Sequence, residues 1–104
     1  MTRILLSCAL GMSTGMLMER MRDAAKEQSK EIKVWAVDTG SIAANEGEFD
    51  VLLLGPQVSY LLSDMQKKYG DKVPVSGIKP IDYGRMNGAA VLAYAEELIA
   101  NFGK

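Results

Sequence analysis

A chain of 104 residues with 48% hydrophobic and 24% charged content can bury one core, and its length excludes a two-domain reading, so residues 1–104 are read as a single domain. Twelve Lys and Arg against 13 Asp and Glu leave a net charge of −1, which removes any global electrostatic case for nucleic acid or an anionic membrane surface. With no histidine and one cysteine, Cys8, the chain excludes Ser-His-Asp and Cys-His catalysis, imidazole-held metals, internal disulfides and thiolate-cage clusters.

In chain order, Arg3 to Ser7 is a short apolar run that predicts a first strand, followed at once by a break. Ser13 to about Lys30 predicts a helix whose inner face carries Leu17, Met21, Ala24, Ala25 and Gln28, with charged residues elsewhere. Ile32 to Asp38 is β-branched and aromatic, and reads as a strand buried on both faces. Ser41 to Asn45 has room for no more than a turn of helix. Asp50 to Leu54 predicts a strand stopped by Gly55-Pro56.

Gln57 to Tyr69 then reads as a helix with Val58, Leu61, Leu62 and Met65 on one face and Gly70 as its cap. Val73 to Ile78 is a weaker strand around Pro74, which suits a sheet edge. A last helix is predicted from about Tyr83 to Phe102, on the spacing of Ala90, Val91, Tyr94, Ala95, Leu98, Ile99 and Phe102. Alternating strands and helices with continuous apolar strands imply an α/β fold, a parallel sheet covered on both faces.

No targeting segment is expected. The longest apolar run, Ala89 to Ala95, falls well short of the roughly 18 residues of a membrane span. Three apolar residues before Ser7-Cys8 are likewise too few for a signal peptide, which needs about 7–15. A free thiol beside seven Met fits a reducing cytoplasm.

The informative stretch is Cys8-Ala9-Leu10-Gly11-Met12-Ser13-Thr14-Gly15, between the first strand and the first helix. It lies at the carboxyl end of a parallel strand, where open α/β sheets bind ligands, and before a helix N-terminus that favours anions. Gly11 and Gly15 permit positive φ and close backbone approach; Ser13 and Thr14 can cap the helix or hydrogen-bond an anion. No carboxylate lies between residues 8 and 18. A thiol at the head of such a loop faces the same donors as the anion, an arrangement for phosphoryl transfer. The bland alternative is a buried core cysteine.

A tyrosine-phosphatase-like enzyme would need Arg at the sixth position after the cysteine, where this chain has Thr14; Asp82-Tyr83 echoes the general acid of such enzymes. A Walker loop is excluded because no Gly-Lys-Ser/Thr follows. A receiver domain is excluded because the first strand carries no acidic pair. A non-covalent flavodoxin-like module for a phosphate or mononucleotide stays open beside the cysteine phosphatase.

Three stretches together, Cys8-Ala9-Leu10-Gly11-Met12-Ser13-Thr14, Leu53-Leu54-Gly55-Pro56-Gln57-Val58 and Ile81-Asp82-Tyr83-Gly84-Arg85-Met86-Asn87-Gly88, resemble the IIB component of the lactose/cellobiose (chitobiose) type. Such components belong to the bacterial phosphoenolpyruvate-dependent sugar phosphotransferase system. The resemblance covers essentially the whole chain, with Gly15 where the family often has Ser. It implies a three-layer, flavodoxin-like (low-molecular-weight-phosphatase-like) fold: an open four-stranded parallel sheet in the order 2-1-3-4. It also implies a phosphotransferase without cofactor or metal. Cys8 would take a phosphoryl group from a phosphohistidine of a IIA partner and pass it to a sugar in membrane IIC, such as cellobiose, chitobiose or lactose. The 8–15 loop would hold the phosphate, with Gln57, Asp82 and Tyr83 as auxiliary residues. The protein would be cytoplasmic and recruited peripherally to its transporter. Met12 and Met16 would form an adaptable apolar rim for both partners, whereas Met21 is read as core and Trp35 as packing.

Overall fold

The computed structural model describes residues 1–8 and 12–104, so Ala9, Leu10 and Gly11 of the expected loop, and the side chain of Met12, lie outside the described residues. The chain runs through β1 (Thr2–Ser7), α1 (Met12–Glu27), β2 (Ile32–Val37), two single 3-10 turns (Thr39–Ser41 and Ala43–Asn45) and β3 (Val51–Leu54). A 3-10 segment (Pro56–Leu61), α2 (Leu62–Tyr69), β4 (Val75–Gly77), α3 (Pro80–Gly84) and α4 (Gly88–Asn101) complete it. The strands are all parallel, in the order β2-β1-β3-β4, as the family resemblance implies.

Alternation along β1 explains the three layers. Ile4 and Leu6, with Val51 and Leu53 of β3, face Leu17, Met21, Ala24 and Ala25 of α1 and Val91, Leu92 and Ala95 of α4. Leu5, with Leu52 and Leu54, faces Ile42, Phe49, Val58, Met65 and Tyr69 on the other side. The central strands are therefore apolar at every position from Ile4 to Leu6 and from Val51 to Leu54, all fully buried. Each such side chain contributes about 1.5–3 kcal/mol on removal from water.

Several predicted elements come out differently. The first helix ends at Glu27, three residues early: Ser29 adopts φ 56° and the Lys30 N–H donates to the Ala25 carbonyl, so Gln28 leaves the inner face and is exposed. β2 is not buried on both faces. It is an edge strand, and the 3-10 turns that follow it are too short to cover it, so only Val34 is buried. The predicted helix from Gln57 is 3-10 up to Leu61, with non-helical Val58 at φ −121°, and becomes α-helical only at Leu62. Gly70 does end α2, but in right-handed backbone at φ −64°.

The predicted helix from Tyr83 to Phe102 is two helices. Met86 at φ 53° ends α3, and the Asn87 side chain accepts the Ala90 N–H at 3.0 Å to start α4. Gly88 makes the break necessary to packing: a Cβ there would strike the backbone of Arg20 and Met21, so glycine lets α4 press onto α1. Phe102 falls beyond the helix and is exposed. None of the helices among the described residues is long and apolar enough to cross a membrane.

Candidate functional site

The sheet order places β1 directly beside β3, and their connections leave on opposite faces, so the crevice at the carboxyl ends of these two strands is a topological switch point. Cys8 stands in that crevice, immediately after β1 and before the N-terminus of α1. It is only 2% exposed. The first turn of α1 carries no acid, so its unpaired N–H groups and positive dipole end meet no local competing charge.

Three side chains meet here, two from the start of the chain and one from far along it. The Cys8 Sγ lies 2.9 Å from the Thr14 Oγ1, which lies 3.3 Å from the Tyr83 hydroxyl. Thr14 and Tyr83 are both buried. Thr14 occupies the position where a phosphatase would present Arg, and it presents a hydroxyl to the sulfur instead. Arg22 does not compensate, because its Nη2 donates to the Val34 carbonyl at 2.8 Å, towards β2. Arg20 lies on the α1 surface, in a cleft it shares with Asp23, Glu27 and Arg85.

The remaining expected residues sort by position. Ser13 is exposed in the first turn of α1. Gly15 lies within α1, and a Cβ there would meet nothing within 4 Å, so the expected need for positive φ or close approach does not arise. Gln57 is exposed in the 3-10 segment after β3, and its Oε1 folds back over Gly55. Asp82 lies on α3 beside Tyr83, half-buried, and no hydrogen bond among the described residues ties its carboxylate to Cys8 or Thr14. Met16 is 45% exposed and Met21 fully buried, as the helical spacing implies. No group of three His, Cys, Asp or Glu among the described residues could hold a metal.

The strand order implied by the family resemblance makes the Cys8 and Gly55-Pro56-Gln57 loops neighbours, as they are, but the residues themselves read at Gly55 only as punctuation. Its N–H donates to the Ser7 carbonyl at 2.8 Å, and a Cβ on it would stand 2.5 Å from the Cys8 Cβ and 2.9 Å from Gln57 Oε1. Glycine is therefore what allows β3 to deliver its backbone against the thiol. The signal was the Leu-Gly-Pro-Gln run, whose glycine can be read as close approach only once β3 is known to neighbour β1.

The model for the lactose/cellobiose-specific IIB subunit of the phosphotransferase system matches residues 3–94. The chain belongs to that family. Its similarity to the galactose-specific EIIB component of Lactococcus lactis subsp. cremoris is 42% identity over 92% of this chain and 94% of that protein. The oligo-beta-mannoside-specific EIIB component of Bacillus subtilis is 33% identical over 97% of this chain and 99% of its own. Among solved structures, the cellobiose-specific IIB component from Borrelia burgdorferi superposes with a TM-score of 0.81 at 34% identity, over 97% of this chain and 94% of that one. The lactose-specific IIB domain from Streptococcus pneumoniae superposes with a TM-score of 0.82 over 93% of this chain and 96% of that one. At 16% identity it supports the fold alone. The IIB chain described here is thus a sugar-specific phosphotransferase component, and phosphoryl transfer in sugar uptake is its general role.

Proposed function

We propose that Cys8 is the phosphoryl acceptor, and that this IIB protein relays the group from a phosphohistidine on a IIA partner to a sugar bound in a membrane IIC component. In the first step the S–P bond forms as the N–P bond breaks, and the thiol proton is taken up by the released imidazole. In the second, a sugar hydroxyl attacks phosphorus, the S–P bond breaks and the hydroxyl proton returns to sulfur. Both imidazole and sugar belong to partners, which accounts for a chain with no histidine of its own.

The observation that carries this reading is the setting of the only thiol. Cys8 lies at the switch point before the α1 N-terminus, with a hydroxyl, not a guanidinium, at its side. The loop 8–15, from Cys8 through Ala9, Leu10, Gly11, Met12, Ser13 and Thr14 to Gly15, supplies the donors for the phosphoryl oxygens. Catalysis of transfer rests on alignment by docking, which can lower a barrier by about 7–11 kcal/mol without any acid or base from this chain. Exposed Met16 in the second turn of α1, Tyr60 in the 3-10 segment after β3 and Ile81 on α3 after β4 form the rim against which partners dock. The sugar is a β-linked disaccharide of the cellobiose, chitobiose or lactose kind; relatives are named for galactose, cellobiose and oligo-beta-mannoside. The protein works in the cytoplasm, recruited to its transporter.

Intact mass after exposure to a phosphoenolpyruvate-driven donor chain should show the gain of one phosphoryl group, absent in Cys8→Ser. A Cys8→Ser variant that still relays at the wild-type rate overturns the assignment. The phospho-protein should persist in buffer and discharge quickly on addition of unphosphorylated IIA, because no Arg clamps the phosphate for attack by water. Rapid hydrolysis of an aryl phosphate, dependent on Cys8 and Asp82, would instead establish a phosphatase.

A further inference from the structure

Tyr83 sits 69 residues away from Thr14 in sequence, and its phenol is buried with the Thr14 hydroxyl as its only hydrogen-bond partner among the described residues. It is carried on α3, a single short helix started by Pro80 and tied at its end by the Met86 N–H to the Tyr83 carbonyl and the Asn87 N–H to the Asp82 carbonyl. The phenol is thus held by a braced element and aimed at one atom.

The polarity of the chain of bonds follows from counting protons. Each hydroxyl has one proton to donate. With a neutral thiol the run can point from sulfur outward: S–H to Thr14, Thr14 O–H to Tyr83. A thiolate can only accept. Thr14 must then donate to sulfur, which leaves its own oxygen open to a donor, and the phenol is the group placed to fill it. Charge on sulfur strengthens both bonds in turn, since hydrogen bonds in series polarise one another. The 3.3 Å separation of the two hydroxyl oxygens is long for an O–H···O bond, as contacts that tighten when charge develops often are before reaction.

We infer that Tyr83 is a positioning residue for Cys8, acting through Thr14: the phenol holds the Thr14 hydroxyl turned towards the sulfur, so that the nucleophile is supported as it becomes anionic. The inference rests on the reading of Cys8 as phosphoryl acceptor. After transfer the sulfur is no longer charged, and the same Thr14 proton is free to turn to a phosphoryl oxygen. Of the charged groups on the two elements, α1 has no acid in its first turn, and α3 carries Asp82 between Lys79, whose ammonium lies over the Tyr94 ring, and Arg85, which lines the cleft with Arg20.

The test is a double-substitution cycle on the intact protein, read by the rate of Cys8 alkylation with iodoacetamide as a function of pH. Tyr83→Phe keeps the ring and removes the donor. It should move the profile to higher pH and slow alkylation near neutrality by about threefold to tenfold, the loss of one modest hydrogen bond, with the plateau rate at high pH unchanged. In a Thr14→Val background, Tyr83→Phe should have no further effect; in Thr14→Ser, which restores a hydroxyl, its effect should return. Equal slowing by Tyr83→Phe with and without the Thr14 hydroxyl overturns the inference, as does a change confined to the plateau, which reports access rather than support of charge. If Thr14→Val unfolds the protein, Thr14→Ala, which also removes the hydroxyl and adds no bulk, takes its place in the cycle. Alkylation needs no donor protein, so coupling with no phosphoryl gain by intact mass would sink the carrier reading and leave the Tyr83–Thr14–Cys8 coupling standing.

Discussion

The two ends of the central strands, only a few residues apart, treat their polar groups in opposite ways. At the amino end, Arg3 and Asp50 close on each other completely. The Arg3 N–H donates to Asp50 Oδ2 at 2.8 Å, its Nη2 donates to Oδ1 at 2.8 Å, and the Asp50 N–H returns a bond to the Arg3 carbonyl at 2.8 Å. At the carboxyl end, the Ser7 hydroxyl is buried without a partner among the described residues, and the Cys8 thiol shares one hydroxyl with Tyr83. One end joins strands and is saturated. The other has the Gly55 backbone packed against Cys8, and a buried Ser7 hydroxyl that no described residue satisfies, where a saturated pair stands at the opposite end.

The largest test of that contrast is Gly55→Ala. Its Cβ would need the space of the Cys8 Cβ, so either the thiol or β3 must move. Overpacking of this kind costs about 1–3 kcal/mol of stability, and displacement of a reacting atom by about 1 Å can cost on the order of a hundredfold in rate. Phosphoryl acceptance, followed by intact mass, should fall by at least tenfold, and the melting temperature should drop by roughly 4–8 °C for each kcal/mol lost. Wild-type acceptance in Gly55→Ala would show that the carboxyl end has slack the structure does not suggest.

A smaller effect on transfer, but a sharper one, separates charge from packing. Ser13→Asp adds an acid to the exposed first turn of α1, where the helix dipole favours it by about 0.3–1 kcal/mol. The substitution should leave the melting temperature equal or raised. It should nevertheless cut phosphoryl acceptance severalfold or more, because the incoming group brings a charge of about −1.5 to −2. Ser29→Asp, at an exposed left-handed position that Asp tolerates, should change neither. Equal losses from both would remove the loop as the anion site.

The smallest effect belongs to the amino end and appears only in stability. The side-chain hydrogen bond from Arg3 is the main cause that holds the Asp50 carboxyl below its usual range, against an opposing effect of burial. A carboxyl lowered on folding adds stability above its unfolded value of about 3.9, and that stability is lost as pH falls through the folded value. Both side chains are about a third exposed or more, so solvent screens the pair and the contribution is modest. Asp50→Asn should therefore unfold at slightly lower urea than wild type at neutral pH, with the two midpoints converging on acidification and phosphoryl acceptance unchanged. A gap that persists in acid would assign the pair's contribution to packing.

These outcomes also bear on what could be read before the fold was known. The order of elements was legible because hydrophobic period is a local property. Leu17, Met21, Ala24 and Ala25 share a face on helical spacing alone, and Val51 to Leu54 can be continuous only if both sides of the strand are covered. Cys8 stood out by arithmetic, as the one thiol in a chain without imidazole, and the family by three motifs taken together. The errors fell where local pattern and tertiary demand disagree. The spacing from Tyr83 to Phe102 is helical enough to run unbroken, yet docking α4 against Arg20 and Met21 demands Gly88 at the contact and a left-handed Met86 just before it. The apolar face proposed from Gln57 did not reveal that the turn after β3 tightens to 3-10 and breaks at Val58. Nor could any periodicity place Gly55 against Cys8, or Tyr83 against Thr14, because those contacts join segments that meet only when β1 and β3 are neighbours and α3 returns over the end of the sheet. The chemical group was a matter of composition; the partners that support it were decided by strand order and helix docking, where the free energy lies in long-range burial that no single segment encodes.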